Sequence, residues 1–413
     1  MSKRNFIDVI CHEPFRFFFP LGVLIGSWGV GQWLLIALGW INGITGFYHS
    51  SIQSLVYMNC FIVGFLTTAL PRFTGSHHAT KTEIFSFSFL LIGILLFLTL
   101  EQWIIAEILF AVWLMALMRF ALVRVMRRPR TTGSGKPPHE LIWIPFGMLN
   151  GILGVIILAL GQADILPRWA LKVGKPMMEQ GFLLSVVVGI GGFLIPRLLG
   201  TYRRTQDQSQ VCEQTPRITL PGTFIKTYTA CALLVFISFW LEGFGYLNMA
   251  YGLRAAAVTY VYSSTGILKY VRGCDLYARL AWISAWMVAI GYWGAALLSD
   301  YAVMMLHITF IGGFSLMTFA VASMVILSHS GHGQRLKSPL WIFWLVGLGI
   351  GVAMIQRVVV EFFPDRYFQI LGAAAAVWII SACIWLIYML PFLFRVPEED
   401  EFGRMHEQMR KTM

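Results

Sequence analysis

The chain has 413 residues, 57% of them hydrophobic and only 12% charged, with a formal net charge of +11 and a mean hydropathy of +0.70. A soluble domain carries about 25% charged residues, so an ordinary soluble enzyme is excluded, and a disordered chain with it. The six cysteines (Cys11, Cys60, Cys212, Cys231, Cys274 and Cys383) show no paired spacing and no C-x-x-C, which argues against a disulfide framework, a thiolate zinc site and covalent c-type haem. Haem held by histidine needs neither motif.

About 20 apolar residues cross a hydrocarbon core of about 30 Å as a helix. Twelve stretches meet this, at 15–40, 48–71, 84–101, 103–125, 141–163, 178–198, 221–241, 245–265, 278–298, 302–327, 339–361 and 367–394. The expected fold is all-α, a polytopic integral membrane protein with 12 transmembrane helices in a single domain. The segment MSKRNFIDVICHEPFR shows no small-residue cleavage site before the first span, so that span is read as retained. Of the Lys and Arg, 25 fall on one side and 6 (Arg168, Lys172, Lys175, Arg254, Arg357 and Arg366) on the other. Cytoplasmic loops hold the positive excess, which predicts cytoplasmic termini. The positive charge is scattered over short loops, so it reads as topology rather than nucleic-acid binding. Two longer loops, MRRPRTTGSGKPPHE and TYRRTQDQSQVCEQTPR, read as linkers between groups of four helices.

An internal repeat accompanies this grouping. Pro71-Arg72-Phe73-Thr74-Gly75 closes the second span and Pro196-Arg197-Leu198-Leu199-Gly200 the sixth, at an offset of 125, and His307 with His329 repeats the 22-residue spacing of His49 and Pro71 at an offset of 258. The expectation is three quasi-repeated four-helix units, about 1–135, 136–270 and 271–394, followed by a cytoplasmic tail at 395–413.

The histidines sort into two layers. His49 opens the second span and His307 the tenth, on the outer side; His12, His77, His78, His329 and His332 lie on the cytoplasmic side; His139 and His406 sit in polar segments. The 22 residues from His307 to His329 cover about 33 Å of helix, so one metal ion cannot take both. Paired imidazoles on facing helices hold haem iron or copper, which makes His49 with His307 an outer candidate and His12 with His329 an inner one. Arg254 and Arg357, inside the eighth and eleventh spans, are candidates to meet haem propionates or a substrate carboxylate. The bland alternative for Arg357 is an i,i+4 pair with Glu361. Asn59, Asn150 and Asn248 are expected to bond between helices.

These residues resemble a known family. His12-Glu13-Pro14-Phe15-Arg16 is similar to a His-Pro-Phe-Arg opening with one residue inserted; Tyr48-His49 with Gly64-Phe65-Leu66-Thr67-Thr68-Ala69-Leu70-Pro71-Arg72-Phe73-Thr74-Gly75 is similar to the second helix, and Leu306-His307, Met317-Thr318-Phe319-Ala320-Val321 and Ser328-His329-Ser330-Gly331 to the tenth helix, of the NnrS family. That family comprises twelve-span bacterial membrane proteins associated with haem, copper and the handling of nitric oxide. The chain departs where the family has a second His and a Glu in the second helix, here Ser51 and Ile52, and an Arg late in the tenth, here Met324. The resemblance implies ligands at His12, His49, His307 and His329, with b-type haem better supported than copper. A looser architectural similarity runs to the haem-copper oxidases, which also place histidines on helices 2 and 10; their copper ligands on helices 6 and 7 have no counterpart here. The implied function is nitric oxide response or detoxification, or redox electron transfer, with a diatomic gas and a quinol or redox protein as partners. A secondary transporter and a haem- or copper-handling assembly subunit stand as alternatives.

Overall fold

The computed structural model describes residues 6–126, 139–200, 222–269 and 273–395. They are helical throughout, with no strand among the described residues. A short helix, Phe6–His12, precedes α1 (Phe15–Ala37). The chain then forms α2 (Gly46–Thr74), α3 (Lys81–Thr99), α4 (Trp103–Met126), α5 (Trp143–Gln162) and α6 (Trp169–Leu198). The second half consists of α7 (Gly222–Gly243), α8 (Leu247–Ser264), α9 (Leu276–Leu297), α10 (Ser299–His329), α11 (Trp341–Val359) and α12 (Tyr367–Phe394).

Among the described residues, 11 helices are long and apolar enough to cross a membrane. The stretch expected at 245–265 does form a helix, the 18-residue α8, but falls outside that set. Asn248, Arg254 and four tyrosines, at 251, 260, 262 and, just ahead of the helix, 246, dilute its apolar character. Its polar groups are satisfied by neighbours: the Asn248 side chain donates to the Ala296 carbonyl of α9 at 2.8 Å, and Arg254 pairs with Glu242 of α7.

Consecutive helices pack side by side, and α12 closes the order by packing on α1. Three helices sit inside. The most apolar windows of α2, α6 and α10 are 83%, 72% and 72% buried, against 22% to 56% for the other candidate spans. A helix apolar on every side has no polar face for solvent, so it is covered by other helices or by lipid; here protein covers the three that carry the repeated sequence features. Each departs from α-geometry, with π-helical turns at Ile52–Tyr57, Met177–Gly181 and Ile308–Ser315. The 125-residue offset of the Pro-Arg motifs also relates Ile52 to Met177, and the 258-residue offset relates Tyr57 to Ser315. A π-turn leaves carbonyls poorly paired, and Asn59 compensates in α2 by donating to the Ser54 and Leu55 carbonyls at 2.8 and 3.0 Å. Asn59 therefore bonds within its own helix, as Asn150 does to Phe146; of the three asparagines expected between helices, Asn248 alone is seen there.

Glycines set the closest helix approach. A Cβ on Gly26 would lie 2.6 Å from the Tyr57 ring, and one on Gly29 would lie 2.6 Å from Ile52 Cγ2. Their absence lets α1 lie directly on the π-turn of α2. At the far end, α2 stops where its motif predicts, with Gly75 in the left-handed conformation at φ 63°.

Candidate functional site

The π-turns of α2, α6 and α10 face a common cavity of about 440 Å³, which α1, α11 and α12 help to line. Its size is within the range of about 300–1,000 Å³ common for ligand and cofactor sites. His49 and His307 both line it, each on the helical turns just before a π-turn. His49 Nδ1 lies 3.0 Å from the Gly29 carbonyl and His307 Nδ1 lies 2.7 Å from the Val303 carbonyl. A carbonyl only accepts, so each Nδ1 carries the proton, and in the neutral ring Nε2 keeps its lone pair. Metal-binding histidines are commonly held in this way, with the second ring nitrogen donating to a carbonyl or carboxylate.

Arg357 also lines the cavity. It makes the expected i,i+4 bond to Glu361 at 3.2 Å, and because a guanidinium carries five donors, this leaves it able to meet a further carboxylate. Arg254 is not among the lining residues. It is fully buried, paired with Glu242, and donates to Ser238 at 2.8 Å and to Gln180 at 3.3 Å. Gln180 does line the cavity, so Arg254 acts behind the wall. An unpaired arginine at this depth is costly, and Glu242 supplies the partner.

Two clusters of cavity side chains lay outside the candidate residues read from the sequence. Lys175 donates to Glu179 at 2.8 Å and to Ser50 at 2.9 Å, and Ser50 donates to the other Glu179 oxygen at 2.9 Å. The sixth span was expected to begin at 178, which put Lys175 in an outer loop; the helix begins at Trp169. A Lys and a Glu four residues apart inside an apolar stretch was the available signal. The Trp378 indole donates to Ser315 Oγ at 3.0 Å, with the Tyr57 hydroxyl 3.3 Å from the same atom. These bonds join α12, α10 and α2 along the cavity wall.

The inner candidates have other partners. The His12 ring packs on His78, with centroids 4.1 Å apart. His329 Nδ1 donates to Glu13 Oε1 at 2.8 Å, while Arg72 Nη1 lies 2.7 Å from its Nε2. Glu13 also accepts from Arg16 Nε at 2.6 Å and from Arg72 Nη2 at 2.8 Å. Arg16 reaches on to the Leu393 and Arg395 carbonyls at 2.5 and 3.0 Å, capping the end of α12. Burial alone would raise the Glu13 pKa, but the His329 bond and the charges of Arg16 and Arg72 outweigh it and hold the carboxyl well below its ordinary range. The residue that reads as an insertion in the opening motif is the hub of this cluster. For His329 to hold a metal ion it would have to leave Glu13 and Arg72. A haem between two histidines draws on only two side chains.

The fold and cavity define a polytopic integral membrane protein with a histidine-lined chamber among its inner helices. The sequence matches the NnrS protein family over residues 9–396, and the chain belongs to that family, which is linked to the nitric oxide response. No curated protein matches it significantly.

Proposed function

We propose that this chain is a haem protein of the bacterial inner membrane acting in the nitric oxide response, with twelve crossings, cytoplasmic termini and a b-type haem between His49 and His307. The observation that carries this reading is that both histidines line one cavity with both Nδ1 atoms fixed on backbone carbonyls, which leaves Nε2 as the donor atom on each. The π-turns that recur on α2, α6 and α10 support the three-unit organisation. π-turns concentrate at functional sites.

When bound, the haem supplies an iron for one-electron exchange or for binding a diatomic. Gly29 and Val303 orient the imidazoles, and Arg357 and Lys175 offer cations to the propionates. Glu179, which accepts from Ser50 and Lys175, holds the Lys175 ammonium at the cavity edge. A haem held by both His49 and His307 would supply electron transfer more readily than gas binding, with electrons from a quinol or a redox protein.

The test is the visible spectrum and iron content of the detergent-purified protein, oxidised, reduced and nitric oxide-treated. A Soret band with about one iron per chain is expected, lost in His49→Ala and His307→Ala. Unchanged haem per protein in His307→Ala sinks the assignment. Lys175 and Arg357 on the same cavity also suit an anion transporter; a colourless protein whose anion uptake depends on them would establish that reading instead. Substoichiometric, exchangeable haem with a copurifying partner would establish the handling role.

A further inference from the structure

A second, smaller apolar pocket of about 70 Å³, open on one side where Phe65, Ile190, Thr318 and Val321 are only half-buried, lies beside the first, lined by α1, α2, α6 and α10. Its walls include Phe61, Val187, Met317 and Ala322, and Met58 and Phe314 line both cavities. Of the residues lining it, Thr318 alone carries a side-chain oxygen, and that hydroxyl lies 4.0 Å from Met58 Sδ. An ordered water needs two to four polar partners, which these walls do not supply, whereas apolar sites take up xenon or small hydrocarbons. The pocket has about half the volume of an apolar cavity of about 150 Å³ that takes up benzene or xenon, which suits a diatomic better than a quinone ring or a carboxylate substrate. Met58 is flexible and unbranched and stands in the shared wall, where rotation of its side chain would join the two spaces.

We propose that this chamber is a binding site for a small uncharged diatomic gas on its way to the histidine-lined cavity, with Met58 and Phe314 as the partition. Its biological meaning rests on the haem reading above, but the site itself does not.

Crystals of the full-length protein under xenon pressure test it directly. A xenon peak is expected among Met58, Val187, Phe314 and Met317, lost in Ala322→Leu, which fills the space, and retained in Val187→Ala, which enlarges it. Ordered water in the chamber, or xenon only in lipid-facing grooves, overturns the proposal. Transit is read in the haem-loaded protein by flash photolysis of carbon monoxide, in the bimolecular phase that competes with return of the displaced histidine. Ala322→Leu should slow rebinding from solution several-fold with an unchanged absorption spectrum, and an unchanged rate overturns the transit role. A colourless preparation that still binds xenon here would refute the haem reading alone.

Discussion

Glu13→Gln isolates the charge cluster that ties the start of the chain to three helices. The carboxylate takes contacts of 2.5 and 2.6 Å from Arg16 and 2.8 Å each from Arg72 and His329, with side-chain exposures of 4% for Glu13, 3% for Arg16 and 11% for Arg72. An amide of the same shape still accepts through one oxygen but turns an NH2 toward guanidinium groups and removes the carboxylate charge that Arg16 and Arg72 share. Breaking a buried pair by removing one partner costs about 3–5 kcal/mol. Glu361→Gln is the control: it removes a single i,i+4 contact to Arg357, from a carboxylate 31% exposed that water still reaches, where Glu13→Gln removes a carboxylate 4% exposed with three charged or polar partners. Equilibrium unfolding in mixed micelles at neutral pH should separate the two variants by several kcal/mol. The pH dependence carries a second readout. The Glu13 carboxyl titrates below its ordinary value in the folded chain, so its contribution is complete above a pH of about 4.3 and is lost as the pH falls below that. The wild type should lose stability below about pH 4, and Glu13→Gln should lack that component. If Glu13→Gln is no less stable than Glu361→Gln, the cluster does not hold the helices together.

Gly29→Ala places a Cβ 2.6 Å from Ile52 Cγ2 and 2.5 Å from Gln53 Nε2; overpacking of this kind costs about 1–3 kcal/mol, and the displaced Gly29 carbonyl should release His49, read as altered haem content or a changed low-spin spectrum. Ser315→Ala removes the acceptor of the buried Trp378 indole, which should cost about 1–3 kcal/mol and shift tryptophan emission. Arg254→Met leaves Glu242 short of its charge partner and should be destabilising by several kcal/mol, while Arg254→Met with Glu242→Leu should recover most of the loss; thermal unfolding of both variants checks this, and equal losses would refute it.

Much of the fold was legible because a bilayer imposes a simple rule on sequence: each crossing must be a long apolar helix, and its ends collect charge. The repeated Pro-Arg motifs marked α2 and α6, and His307 and His329 marked α10, the helices that prove to be innermost. Asn59 shows where the reading failed. Its polarity predicted a partner on another helix, but the carbonyls loosened by the π-turn lie closer, and no sequence pattern announces a π-turn. Lys175 was missed for a related reason, since a charged residue near a span end reads as a loop until the helix is seen to run past it.

The sequence by itself determined the membrane class, the helix order, the family and the identities of His49, His307 and Arg357 as candidates, because these follow from local composition and spacing. Only the tertiary structure decided which candidates share a cavity. Packing of α1 on the α2 π-turn brings the Gly29 carbonyl to His49, and closure of α12 on α1 carries the Leu393 carbonyl to Arg16. Those contacts join residues 20 and 377 positions apart, and which of many apolar faces meet is settled by shape across the whole bundle rather than by any segment alone.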